Sequence, residues 1–363
     1  MSILLLCSDI LQVYRHNFIP SASSSSNSLP NPIVESRLKE VLLEGVKLSE
    51  LDGTNAADIW TMSPPCQPFT TTRGAQSLGT LDTRNKGLFF LLKILLELEL
   101  KPRWILLENV AAFSSSEVLH LTKKVLSHCG YTYEEFLLSP ITCVGVPNHR
   151  LRYYLSCFRK ESYVGRLAGL TAVDGVHRSL PSLAFPHPHV RCIGDYLLAE
   201  ESMPPHELAE LMLTKQVLGA TWAAARISIV GRFDTTSFCF TKGYGRQVDR
   251  STGSCLFIDA PGPLAEGAYR IDRSNLLALE GRVRLFHPGL VTFFVISTVA
   301  IVCALIFIYY MLLLVELLRL AGFPSNFGFP EGMPLKKQFA CIGNSINVTV
   351  VTEILKLMFQ TKL

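Results

Sequence analysis

The stretch from residue 57 to residue 109 constrains the fold more than any other part of the chain. ADIWTM at 57–62 has the apolar and aromatic character of a short strand, LFFLLKILLELEL at 88–100 is apolar enough for a packed helix, and RWILLEN at 103–109 is typical of a second, buried strand. Strands that are connected through a helix usually pair in parallel. The sequence therefore predicts an α/β domain with a parallel sheet.

A potentially reactive side chain follows each of the two predicted strands. Cys66 lies in MSPPCQPFT, where Pro64, Pro65 and Pro68 leave the loop few conformations, which suggests a positioned nucleophile. Ligands of open α/β sheets bind beyond the carboxyl ends of the strands, so we expect Cys66 and Glu108 to share one site. By themselves, a structural cysteine and a helix-capping or surface carboxylate remain alternatives.

Composition narrows the class of protein. The chain has 363 residues, of which 48% are hydrophobic, and its formal net charge of +4 is compatible with a polyanionic partner without indicating one. Its ten cysteines include no C-x-x-C pair and no Cys/His cluster at zinc spacing, so we expect reduced thiols and no metal site. The start, MSILLLCSDI, lacks the basic region of a secretory signal, which favours a cytoplasmic or nuclear protein.

Two segments do not fit a simple α/β domain. SASSSSNSLPNP at 21–32 is a low-complexity loop or linker. LVTFFVISTVAIVCALIFIYYMLLLV at 290–315 contains no charged residue and exceeds the length of about 20 apolar residues that a transmembrane helix needs. A membrane-anchored protein is therefore one hypothesis, and it depends on this run alone.

Four motifs in a fixed order connect the chain with a known family. SPPCQPF around Cys66, ENV at 108–110, RLRYY at 150–154 and GNS at 343–345 resemble, in this order, the motifs of the cytosine-5 methyltransferases. CFTKGYG at 239–245 is similar to the small branch that methylates aspartate tRNA, although that branch is historically classed with DNA methyltransferases. The resemblance implies an α/β, Rossmann-like sheet of the S-adenosylmethionine-dependent methyltransferases with an inserted, smaller target-recognition lobe.

The resemblance also implies a division into domains. Residues 1–158 are expected to form the catalytic domain, and residues 159–257 the target-recognition lobe. Residues 258–363 are expected to return to the catalytic domain, because GNS belongs to the cofactor pocket in the family.

A reaction follows from the same resemblance. The Cys66 thiolate adds to carbon 6 of a flipped-out cytosine, Glu108 protonates the ring nitrogen, and carbon 5 takes the methyl group of S-adenosyl-L-methionine. Arg150 and Arg152 orient the ring and Glu108, a task that suits a planar guanidinium. The resemblance implies cytosine 38 in the anticodon loop of tRNA as the target. A base in a loop leaves its stack at a lower cost than a base in a duplex.

Binding residues are implied as well. Cofactor contacts are expected at Leu43, Glu44, Ser63, Pro64, Pro65, Leu88, Asn344 and Ser345. Phosphate contacts, for which simply solvated charges are the alternative, are expected at Lys242, Arg246, Arg250, Lys336 and Lys337. We expect a monomer that acts on tRNA, with DNA as the alternative substrate.

The chain departs from the family in two places. The family's first strand and its F-x-G-x-G turn are missing, since LQVYRHNF at 11–18 resembles the helix after the second strand. A sheet without that strand has an uncovered edge, and an inactive RNA-binding isoform is therefore an alternative. The run at 290–315 interrupts nearly continuous family sequence between RLFHPG and ELLRLAGFP. A membrane span there would separate GNS from Cys66. We therefore predict a retained intron or a gene-model error at 290–315, and no functional membrane span.

Overall fold

The computed structural model describes residues 3–5, 8–18, 38–40, 46–66, 69, 79–159, 175–180, 189–198, 203–258, 276–288 and 316–359. The low-complexity segment at 21–32, the predicted cofactor contacts Leu43 and Glu44, and the apolar run at 290–315 lie outside these residues.

The described residues form ten β-strands and ten α-helices. The strands are β1 (Ile3–Leu5), β2 (Leu38–Glu40), β3 (Ile59–Met62), β4 (Trp104–Val110), β5 (Tyr131–Leu138), β6 (Arg152–Arg159), β7 (Val176–His177), β8 (Ile229–Val230), β9 (Cys255–Phe257) and β10 (Val283–Arg284). The α-helices are α1 (Ser8–Phe18), α2 (Lys86–Glu97), α3 (Glu117–His128), α4 (Pro140–Cys143), α5 (Pro205–Leu211), α6 (Lys215–Leu218), α7 (Ala223–Arg226), α8 (Glu316–Leu320), α9 (Leu335–Gly343) and α10 (Val348–Phe359).

The main sheet has five strands in the order β3-β4-β6-β5-β7. β3 and β4 pair in parallel with α2 between them in the chain, so the predicted strand-helix-strand unit is confirmed. The sheet as a whole is mixed rather than parallel, because β6 runs antiparallel to both β4 and β5. The connection from β5 to β6 carries only the four-residue helix α4, so it does not return the chain in the direction that a parallel strand requires.

Hydrophobic clusters cover both faces of this sheet. Ile105, Leu107 and Tyr153 pack in one cluster together with residues of α2 and α3. Leu106 and Tyr154 point the other way, into a cluster that also contains residues of α10 and of the segment from 193 to 286. The side chains of β4 thus alternate between two hydrophobic clusters, as expected for a strand that is buried on both faces.

The region predicted as a recognition lobe contains a small three-stranded sheet in the order β10-β9-β8. Its strand β10 lies after residue 257, where the lobe was predicted to end. Fully buried Arg284 of β10 donates hydrogen bonds to Glu316 of α8 at 2.8 and 2.7 Å. This ion pair joins the chain before the apolar run to the chain after it.

The amino-terminal elements stand apart from the main sheet. β1 and β2 form a separate two-stranded parallel sheet, and in the described part of the chain β3 pairs with β4 alone. Helix α1 contacts the carboxy-terminal region, where the Asn17 amide both donates to and accepts from the Gly328 backbone at 2.8 Å. β3 is thus an edge strand of the described sheet.

The described residues contain neither a membrane-spanning helix nor a cluster of metal ligands. None of the helices in these ranges combines the length and the apolar character needed to cross a membrane. Likewise, the described His, Cys, Asp and Glu side chains include no group of three or more that is arranged to hold a metal ion.

Candidate active site

The register between β3 and β4 brings the two predicted catalytic segments together. Met62 lies opposite Leu107, so the residues that come next in each strand, Ser63 and Glu108, are neighbours. Ser63 Oγ donates a hydrogen bond to Glu108 Oε2 at 2.5 Å, and the Asn109 amide donates to the carbonyl of Pro64 at 3.2 Å. The start of the Cys66 loop is therefore fixed to the end of β4 at two points.

The far side of the Cys66 loop is also anchored. The backbone N–H of Phe69 donates to the carbonyl of Cys66 at 2.9 Å. The Phe69 ring packs edge-on against the fully buried ring of Phe113, which follows β4, with the two ring centroids 4.9 Å apart. Cys66 itself is a free, partly exposed thiol. The loop therefore holds its thiol between fixed points and leaves it open to solvent.

Glu108 has a fixed donor on each carboxylate oxygen. Ser63 holds Oε2, and Arg152 Nε lies 3.3 Å from Oε1. Arg152 lies opposite Val110 in the antiparallel pair, which puts it diagonally across from Glu108 on the same face of the sheet. Glu108 is only 9% exposed, so little water competes for these contacts.

Tyr154 lies directly opposite Glu108 in the ladder between β4 and β6. Burial, and after it the nearby charge of Glu108, raise the pKa of Tyr154. Its hydroxyl therefore stays protonated at neutral pH and adds no charge beside Glu108.

Arg150 contacts different partners from Arg152. Its Nη1 donates to the carbonyl of Phe240 at 2.9 Å, and its Nη2 donates to the carbonyls of Gly343, at 3.2 Å, and Ser345. Arg150 thus joins the segment 237–242 to GNS. The contact with Glu108 that was expected for both arginines is made by Arg152, and the corresponding role of Arg150 stays a prediction.

Cys239 connects the two arginines. Its sulfur lies 3.5 Å from Arg150 Nη1 and 3.8 Å from Arg152 Nη2. A continuous series of contacts therefore runs from Ser63 through Glu108 to the GNS motif. Cys239 was not among the residues predicted for the site, and its only signal in the sequence is its place at the start of CFTKGYG.

GNS packs directly against the segment that carries CFTKGYG. A Cβ atom on Gly343 would lie 2.1 Å from the backbone nitrogen of Lys242, far inside van der Waals contact, so only glycine fits there. The ring of Tyr244 in CFTKGYG extends this contact by packing against the ring of Phe339 in α9, with the two ring centroids 5.2 Å apart. The predicted cofactor motif and the predicted recognition segment therefore form one packed unit.

The predicted cofactor residues differ in how accessible they are. Ser63, Pro65 and Asn344 are exposed, and Ser345 is partly exposed. Leu88 is 2% exposed and belongs to the hydrophobic core around α2. The accessible hydroxyl and amide groups of Ser63, Asn344 and Ser345 fit the polar parts of S-adenosylmethionine.

The predicted phosphate contacts are exposed cations in two groups. The first group lies in and just after CFTKGYG and consists of Lys242, Arg246 and Arg250. The second group, Lys336 and Lys337, lies in the first turn of α9. The contact between Tyr244 and Phe339 holds the two segments together. Both groups therefore belong to the unit that contains Cys239 and GNS.

Known proteins resemble this chain over nearly its whole length. The family model of the C-5 cytosine-specific DNA methylases matches residues 35–215 and 311–360. The human tRNA (cytosine(38)-C(5))-methyltransferase is 30% identical over 95% of this chain and 95% of its own length, and the Spodoptera frugiperda protein of that name is 31% identical over 84% and 79%. A crystal structure of a Spodoptera frugiperda DNMT2 mutant, 26% identical, matches with a TM-score of 0.69 and covers 99% of this chain and 91% of that one. The chain belongs to the C-5 cytosine-specific DNA methylase family.

Proposed function

We propose that this protein transfers a methyl group from S-adenosylmethionine to carbon 5 of a cytosine in tRNA. The observation that supports the proposal most directly is the attachment of the Cys66 loop to Glu108 through Ser63 and Asn109. Addition to a cytosine ring needs a thiolate and a carboxyl group at one site. Relatives named tRNA (cytosine(38)-C(5))-methyltransferase support tRNA as the substrate and cytosine 38 as the target.

Each side chain has a separate task in this proposal. The sulfur of Cys66 forms a bond to carbon 6 of the cytosine, which makes carbon 5 nucleophilic, while Glu108 holds a proton at the ring nitrogen where negative charge develops. Once carbon 5 carries the methyl group, loss of its proton and departure of the Cys66 thiolate restore the ring. Arg152 keeps the Glu108 carboxyl group in place from its other side. S-adenosylmethionine supplies the methyl group when it is bound, and the accessible groups of Asn344 and Ser345 are proposed to hold it.

The surface around CFTKGYG is proposed to bind the tRNA backbone. Exposed lysine and arginine side chains neutralise phosphates, so binding should weaken as the salt concentration rises. We also propose that the protein acts as a monomer in the cytoplasm and nucleus, the compartments in which tRNA is made and used.

Labelled S-adenosylmethionine tests the proposal directly. The chain is incubated with tRNA or with duplex DNA, beside Cys66→Ala and, as a matched control, Cys192→Ala, which removes another partly exposed free thiol. We expect label in tRNA, lost in Cys66→Ala and retained in Cys192→Ala.

Other outcomes of this experiment reject the proposal in different ways. Label in duplex DNA and not in tRNA would mean DNA cytosine-5 methylation. Absence of label from both nucleic acids, together with retention of tRNA in a filter-binding assay, would mean an inactive RNA-binding isoform. A variant with a glycine-rich strand added at the amino terminus then shows whether that element restores methyl transfer.

A further inference from the structure

Ser63 makes the shortest contact of the Glu108 carboxylate. Its hydroxyl lies 2.5 Å from Glu108 Oε2, whereas Arg152 Nε lies 3.3 Å from Oε1. Glu108 is 9% exposed, and the hydroxyl reaches it from the edge strand, where β3 ends. Resemblance to the family assigned Ser63 to the cofactor, but its hydroxyl in this structure is directed to the carboxylate.

The same hydrogen bond connects the acid with the loop of the nucleophile. Ser63 lies three residues before Cys66, and the next residue, Pro64, is held by the amide of Asn109. Because Pro64 and Pro65 restrict the backbone between Ser63 and Cys66, fixing the position of Ser63 also restricts the position of Cys66. The Ser63 side chain thus links the Glu108 carboxylate directly to the loop that carries Cys66.

We infer that Ser63 is a positioning residue, which orients Glu108 relative to Cys66, and that it is not principally a cofactor contact. This inference rests on the proposed function, since it assigns a task to Ser63 in the same reaction. A carboxyl group that rotates away from the ring nitrogen loses the alignment on which proton transfer depends, and a misplacement of 1 Å can cost about 100-fold in rate.

Comparison of Ser63→Ala with Ser63→Thr shows whether the hydroxyl of this residue is what the reaction needs. Ser63→Ala removes the hydroxyl, whereas Ser63→Thr keeps it. We expect kcat for methyl transfer to fall by about 10- to 100-fold in Ser63→Ala with little change in the KM for S-adenosylmethionine or tRNA, and to recover largely in Ser63→Thr. Ser115→Ala is the matched control, because the exposed Ser115 hydroxyl donates only to the carbonyl of Ala112.

A second assay avoids the methyl donor. When the Cys66 sulfur bonds to carbon 6, carbon 5 accepts a proton from water; loss of the original hydrogen from carbon 5 and departure of the thiolate then restore the ring. Transfer RNA that carries tritium at carbon 5 of its cytosines therefore releases tritium to water without S-adenosylmethionine. We expect Ser63→Ala to slow this release by the same factor as methyl transfer.

Three results would overturn the inference. A raised KM for S-adenosylmethionine at unchanged kcat and unchanged tritium release would make Ser63 a cofactor contact. Equal losses in Ser63→Ala and Ser63→Thr, accompanied by a lower melting temperature, would make it a purely structural residue. Unchanged kinetics in Ser63→Ala would remove any role for its hydroxyl. Absence of both methyl transfer and tritium release in the unaltered chain would instead reject the proposed function.

Discussion

We predict that deletion of residues 290–315 stabilises the protein, because hydrogen bonds already join the residues on either side of this run. The backbone N–H of Leu317 donates to the carbonyl of His287 at 3.0 Å, and the N–H of His287 donates to Glu316 Oε2 at 2.7 Å. With Gly289 linked directly to Glu316, the first contact becomes an i to i+4 helical bond and the second becomes the glutamate half of a capping box. Pro288 would then occupy the first helical position, which proline favours.

The size of the effect follows from the length of the run. Connecting two fixed points through 26 residues costs about 3 kcal/mol of chain entropy, and a direct link removes most of that cost. At a urea m-value of about 3 kcal/mol per M, the unfolding midpoint should rise by about 1 M. Urea titration of the deletion variant and the full chain, followed by circular dichroism, measures this shift.

A control separates loop length from composition. Replacing residues 290–315 with a Gly/Ser linker of equal length keeps the closure cost, so its midpoint should stay below that of the deletion variant. A deletion variant with a lower midpoint than the full chain, or one that no longer folds, would refute the continuous first turn of α8.

Three further predictions concern buried contacts. Glu316→Gln removes the charge partner of the fully buried Arg284, so it should lower the free energy of unfolding by about 3–5 kcal/mol. Adding Arg284→Met to the same chain should restore part of the lost stability. Equal losses of stability in the single and double variants would contradict this account of the ion pair. Gly343→Ala places a Cβ atom 2.1 Å from backbone, so it should cost about 1–3 kcal/mol in urea unfolding and weaken tRNA binding in a filter assay, and unaltered values for both would refute the packed contact. Burial raises the pKa of Cys143 to about 12, so this thiol stays protonated at pH 8 and should resist iodoacetamide, whereas the partly exposed Cys66 should react. Peptide mass spectrometry measures the labelling of each cysteine, and similar labelling of the two would contradict the structure.

The sequence alone determined the local elements and the family. Apolar runs bounded by polar or proline-containing segments predicted β3, α2 and β4, and the helix expected at 88–100 is observed at Lys86–Glu97. These elements depend on short-range preferences, which a local pattern carries. The order of four motifs then identified the family, which the match at residues 35–215 and 311–360 confirms.

Tertiary structure decided how the site is connected. The hydrogen bond from Ser63 to Glu108 depends on the register of two strands, and the separate targets of Arg150 and Arg152 depend on which segments fold against β6. Arg150 is 90 residues from Phe240 and 195 from Ser345, yet it donates to the carbonyls of both. Local patterns do not encode such contacts, because they form only when packing of the hydrophobic core brings distant parts of the chain together.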